Sequence, residues 1–206
     1  MIKRTRYTSN NGYSYIIDEL RKRLGNETAE KIVDDTVTYG NELWKEYDHL
    51  SKKEKLHVQD MIIPRAAFYL QMRKYLTEEE AIGLIEEAIR IGVEKEAAML
   101  KKWTKLSLVR SMFMKFGPKL MNSVFGKEAG FKTETICCDR KRFRFDILDC
   151  PYHRTCTKLG CPELTKTFCL SDDYVYGSMN KIDFIRHGSI GRGYDRCDFD
   201  FHRTDI

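Results

Sequence analysis

Arg142-Phe143-Arg144-Phe145-Asp146-Ile147 alternates charged and apolar side chains without a break. Successive residues of a strand point to opposite faces, so this stretch reads as a β-strand burying Phe143, Phe145 and Ile147. Upstream, Thr133, Thr135 and Cys137 share one parity, and Asp139-Arg140-Lys141 is a polar turn that makes the two runs a hairpin. Downstream, Cys197, Phe199 and Phe201 alternate with Asp198, Asp200 and His202. Ile182 and Phe184 supply a partner strand across a turn at Gly191 to Gly193. Two short helices lie between the hairpins. One runs from about Pro151 to Leu159 and stops at Gly160; the next carries Pro162 in its first turn and reaches about Gly177. The order ββααββ predicts an antiparallel sheet with helices on one face, an α+β unit.

Before Gly130 the period is helical. Tyr13, Ile16, Ile17, Leu20 and Leu24 form one apolar face that Gly25 ends, and a second helix is expected from about Glu27 to Leu50. Ser51 with Glu54, and Thr77 with Glu80, read as capping boxes; the second opens a helix running towards Trp103. Pro64 lacks an amide donor and predicts a kink or break between Ile63 and Arg65. Residues 1–128 thus form a helical scaffold or lid region and residues 129–206 an α+β region that carries the chemistry, the two making one integrated domain.

One helical stretch is unusual. From Ala97 to Lys127 there is no Asp or Glu, while Lys101, Lys102, Lys105, Arg110, Lys115, Lys119 and Lys127 are interleaved with Leu106, Val109, Phe113, Phe116, Leu120 and Phe125. The expected form is a solvated cationic face over a packed stripe. The alternatives are a membrane-surface helix or a lid that draws in an anionic substrate, hinged at Gly117-Pro118.

Composition narrows the function classes. Of 206 residues, 42% are apolar and 12% aromatic, enough for a sizeable core. A net charge of +5 with well-mixed signs argues against a nucleic-acid binder. No apolar run follows the basic Met1–Arg6, and none approaches the ~18 residues that span a bilayer. A cytoplasmic protein with reduced thiols is expected, and the odd count of seven cysteines fits that.

Every cysteine lies between Cys137 and Cys197, together with aspartates and a histidine able to attack carbon, bind metal or move protons. Cys137 and Cys138 read as strand packing. If Phe199 and Phe201 face the core, Cys197 does too, and Asp198 faces the opposite side. Cys150, His153 and Cys156 are spaced by three, with Cys161 and Cys169 close behind. Soft ligands at that density suit zinc or an iron–sulfur cluster, although no paired Cys-x-x-Cys occurs. His49, His57, His187 and His202 read as surface or partly packed side chains. Asp172-Asp173 is either a pair of catalytic acids or a capping or turn pair.

Cys150-Pro151-Tyr152, Glu163-Leu164, Cys169 followed by Asp173, and a glycine-containing turn before Cys197-Asp198-Phe199 together cover the last quarter of the chain. In these motifs the sequence resembles the L-2-amino-thiazoline-4-carboxylic acid hydrolase family. The resemblance implies hydrolytic opening of a 2-amino-thiazoline ring. Such a site needs a nucleophile or activated water, a proton donor for the leaving sulfur and a cation for the substrate carboxylate. Cys197 or Cys150 would attack, Asp198 or Asp173 would activate water, and His153 would shuttle the proton. Arg192 or Arg196 would hold the carboxylate, with Tyr152 and Cys169 also contacting substrate. The family pattern carries cysteines at Cys150, Cys169 and Cys197, so Cys156 and Cys161 are additions of this chain.

Three functions therefore stand side by side: a hydrolase that needs no cofactor, a zinc or iron–sulfur protein, and a non-catalytic small-molecule sensor. The expected partner is a small-molecule substrate, with no nucleic acid and at most membrane-surface contact through residues 97–127. A homo-oligomer is left open.

Overall fold

In the computed structural model, which describes residues 1–206, the N-terminal half is built of helices that begin where the sequence places its caps. Helix α1 (Thr5–Thr8) leads into α2 (Asn11–Leu24), whose first turn is held by Asn10 Oδ1 accepting from the Gly12 and Tyr13 amides. Gly25, at φ 84°, ends α2 and admits α3 (Asn26–Glu46). The two capping boxes open α4 (Lys52–His57) and α6 (Glu78–Trp103). Replacing Thr77 by Ala removes the acceptor for the Glu80 amide. That change should cost about 1 kcal/mol and lower the thermal midpoint by roughly 2–4 °C, read by circular dichroism.

Neither proline breaks its helix. A π-helical turn, Val58–Ile62, joins α4 to α5 (Ile63–Met72), so Pro64 sits in the first turn of α5. The carbonyl four residues before it, that of Asp60, accepts from the Arg6 guanidinium instead of from an amide. Helix α7 (Ser107–Phe125) likewise runs straight through Pro118. Here the freed Met114 carbonyl accepts from the Cys138 thiol at 3.5 Å. A Cβ on Gly117 would meet the Phe143 ring at 3.0 Å, so the Gly117-Pro118 junction is a packing contact and not the expected hinge.

The four strands are β1 (Lys132–Cys138), β2 (Arg142–Asp149), β3 (Ile182–Ile185) and β4 (Cys197–Arg203). They form one antiparallel sheet in the order β1-β2-β4-β3. Two helices, α8 (Pro151–Lys158) and α9 (Thr165–Tyr176), separate the hairpins, so the ββααββ α+β unit is present as expected. Phe145 opposes Phe199 and Ile147 opposes Cys197 across the central pair. This apolar face packs with Met114 and Met121 of α7. The opposite face is ionic, with Arg142 on Asp200 at 2.7 Å and Arg144 on Asp146 at 3.1 Å. β1 is an edge strand, so Cys137 is only half-buried and Cys138 is exposed, not packed as expected.

The larger core belongs to the helices, around Ile16, Leu20, Ile32, Phe68, Ile82 and Ile85. Cys156, Cys161, Leu164 and Phe168 from beyond residue 128 are buried in that same core. The Tyr69 hydroxyl of α5 donates to Glu163 at 2.5 Å. Glu163-Leu164 thus serves to fasten the α8–α9 connection onto the helical half.

Candidate active site

A cavity of about 690 Å³ lies between the helical core and the apolar face of the sheet, and Cys150, Cys169 and Cys197 all line it. Each sulfur arrives by a different route. Cys150 follows the last residue of β2 and caps α8, Cys169 projects from α9, and Cys197 begins β4. Cys197 faces inward with Phe199 and Phe201, as the strand parity requires.

The three thiols are not equivalent. The Cys197 thiol beside it pushes the Cys169 pKa down to about 6 against the opposing cost of burial. The neighbouring Ser189 and the Arg186 and Arg192 cations act in the same direction. Cys197 is driven up, first because its neighbour takes the negative charge and then by burial. Its sulfur accepts the Ile190 amide at 3.2 Å. Cys150 is pushed up to about 12 by burial, which outweighs the nearby amides of His153 and Tyr152. Of the three, only Cys169 is shifted towards the thiolate.

Beside it sits an ion cluster built on a buried arginine. The Arg186 side chain is only 2% exposed and contacts Asp172 at 3.2 Å, Asp173, and the Cys169 carbonyl. Its guanidinium also lies over the Phe199 ring, 5.0 Å from the centroid. Asp172 lines the cavity, and burial pushes its pKa up to about 7, with Arg186 opposing and the Cys169 charge reinforcing. A carboxylic acid that is half-protonated near neutral pH next to a thiolate is the kind of pairing found where protons are moved.

Two further groups complete the wall. His57 Nε2 lies 3.0 Å from the Val124 carbonyl, so it is the donor, and Nδ1 accepts the Tyr152 hydroxyl at 2.9 Å. Burial lowers the His57 pKa and favours this neutral tautomer. The Arg65 guanidinium stacks 4.1 Å over the Phe168 ring, and its Nη1 is buried without any hydrogen-bond partner. Thr165 Oγ1 and Arg186 Nε, also on lining residues, are unpartnered in the same way. Buried polar atoms without partners are rare, and a group of them around one cavity suits a polar ligand.

Of the expected residues, the structure brings Cys150, Tyr152, Cys169 and Cys197 to the cavity and leaves the others outside its wall. Asp198 faces the far side of the sheet. There it accepts from the His187 amide at 3.2 Å, the Gly188 amide at 2.8 Å and His187 Nδ1 at 3.0 Å. Burial alone would raise it, but these donors hold it below the ordinary carboxylate value. Asp173 is bound by Arg186 and Arg192. Arg196 pairs with Asp195 at 2.8 Å and with Asp146 at 3.4 Å, on the ionic face. His153 does not line the cavity, and its Nδ1 is buried without a partner.

The five residues considered as metal ligands are divided. Cys156 and Cys161 are buried together in the helical core, while Cys150 and Cys169 line the cavity. Nowhere do three His, Cys, Asp or Glu side chains converge as a metal-holding group. All seven cysteines are free.

The sequence marks neither Arg65 nor Arg186, gives His57 only as a surface or partly packed side chain, and does not tell Asp172 apart from Asp173. His57 and Tyr152 meet across 95 residues, a separation no local spacing conveys. No curated protein and no solved structure matches the chain. A model of the L-2-amino-thiazoline-4-carboxylic acid hydrolase family matches residues 55–201. That span begins just before His57 and Arg65, takes in every cysteine and ends within the central strand β4. The chain belongs to the L-2-amino-thiazoline-4-carboxylic acid hydrolase family.

Proposed function

We propose that this protein is a hydrolase that opens a carboxylate-bearing thiazoline or related cyclic amidine, with Cys169 as nucleophile and Asp172 as proton donor. The observation that carries the reading is that one cavity is lined by Cys169, lowered by its neighbours, by Asp172, raised by burial, and by Arg65, whose buried Nη1 has no partner. Family membership supports the hydrolytic class.

The chemistry follows from those three groups. Arg65 holds the substrate carboxylate, which fits a guanidinium fork better than a lone ammonium. The Cys169 sulfur attacks the protonated amidine carbon, forming a carbon–sulfur bond as the carbon–nitrogen π pair moves onto nitrogen. The ring carbon–sulfur bond then breaks, and Asp172 gives its proton to the leaving sulfur. Asp172, now a carboxylate, takes a proton from water as the water oxygen adds to the same carbon. Collapse expels the Cys169 thiolate and leaves a urea. The extra proton that the amidinium carried in passes to solvent. This sequence draws on no cofactor. Seven free thiols, one of them required as a thiolate, support a reducing, cytoplasmic setting.

Purified protein mixed with 2-amino-thiazoline-4-carboxylate should release a new small-molecule thiol with the mass of the hydrated substrate. No product above background overturns the substrate assignment. The pH dependence is also fixed in sign. The rate should rise through about 6 as Cys169 ionises and fall through about 7 as Asp172 loses its proton. Because the two groups interact, these are values of the pair, and the expected profile of kcat/KM is a narrow bell. A profile that keeps rising to pH 9 contradicts the role of Asp172.

A further inference from the structure

The acid-free stretch from Ala97 to Lys127 is only half absorbed by the fold. Met114 and Met121 of α7 pack into the sheet core, with Phe113 and Phe125 against it. On the other side of α7, Leu108, Met112, Phe116, Leu120 and Val124 recur every four residues and are all exposed, Leu108 by 71%. Four-residue steps nearly complete a helical turn, so these side chains form one slowly winding apolar stripe. Met99 and Trp103 at the end of α6 and Leu106 in the connection to α7 are also exposed, the last by 62%.

Six exposed lysines lie in the same segment: Lys101, Lys102, Lys105, Lys115, Lys119 and Lys127. No carboxylate lies between Ala97 and Lys127 to neutralise them. Arg110, which the sequence places among them, turns inward to Asp205 at 3.0 Å and leaves the face entirely lysine. A contiguous exposed apolar stripe of this length is not a neutral surface feature.

Charge decides what covers it. A second copy joined through the same face would place these lysines against one another, which opposes a two-fold interface. A nucleic acid would use the cations but not the stripe. An anionic bilayer uses both, with the lysines at the headgroup phosphates and Trp103 and the apolar stripe in the interface. No helix is long and apolar enough to cross a membrane, so the contact is along the surface. We propose that the outer face of α7 and the end of α6 dock this protein on an anionic lipid surface. Val124 belongs both to the stripe and to the cavity wall, together with the exposed Leu56 and Met61. Docking therefore sets the cavity mouth at the edge of the bilayer.

Flotation of the full chain with phosphatidylcholine vesicles, with and without phosphatidylserine, tests this. Binding is expected to the anionic vesicles, to weaken in high salt, and to shift the Trp103 emission to the blue. Each lysine at such a surface is worth roughly fivefold in binding, so Lys115→Gln with Lys119→Gln should weaken it roughly 25-fold. Leu108→Glu with Phe116→Glu should abolish it, with an unchanged circular dichroism spectrum because both residues are exposed. Failure to float with either vesicle, or equal flotation of wild type and both variants, overturns the proposal. So does a wild-type dimer that Phe116→Glu dissociates, because a second copy would then cover the stripe.

Discussion

Cys169→Ala should abolish turnover, lowering kcat/KM by about a thousandfold or more, while the protein stays folded. The size of the effect follows from the chemistry proposed for it. Cys169 is the one cavity sulfur whose charge is stabilised, by the Cys197 thiol and by Arg186 and Arg192. Cys150 is held neutral by burial, so Cys150→Ala should keep activity within about tenfold. Cys197→Ala removes the neighbour that lowers Cys169 most. It should therefore move the acidic limb of the pH profile upward without abolishing the reaction. Full activity in Cys169→Ala, or its loss in Cys150→Ala alone, would relocate the nucleophile.

The second large effect is on stability. Arg186→Met should lower the unfolding free energy by about 3 kcal/mol, because it leaves Asp172 and Asp173 beside each other without their shared cation. The loss should depend on pH. In the intact protein the Asp172 carboxyl is already raised from 3.8 to about 7, so the folded state holds a proton that the unfolded chain gives up. Its contribution is present in full below its unfolded pKa and is lost as pH rises through about 7. Without Arg186 the carboxyl rises further, so the variant should be weakest at alkaline pH and recover at about pH 5. Urea unfolding at the two pH values measures this. A variant as stable as the wild type at pH 8 would show that Arg186 does not compensate the carboxylates.

The sequence conveyed whatever depends on local period. Phe143, Phe145 and Ile147 alternate and are buried, Ser51 and Thr77 cap their helices, and two hairpins with two helices between them form one antiparallel sheet. Parity also places Cys197 inward and Asp198 outward. The prolines misled because their freed carbonyls found distant donors, Arg6 for Asp60 and Cys138 for Met114. The site was legible as a set of cysteines but not as an electrostatic arrangement. Adjacent aspartates look alike in one dimension, yet Asp172 lines the cavity while Asp173 is held by two arginines. Likewise Arg192 and Arg196 read as free cations until their partners were seen, whereas Arg65 lies 85 residues before Cys150 with nothing nearby to mark it.

The reactivity of each thiol across pH tests the central claim without assuming a substrate. The protein is treated briefly with iodoacetamide at a series of pH values, digested, and each cysteine's modification read by mass spectrometry. Cys169 should be alkylated first, with a midpoint near 6, while Cys150 and Cys197 lag to alkaline pH. Cys169 titrating near its ordinary 9.0, or Cys150 reacting ahead of it, would contradict a Cys169 thiolate.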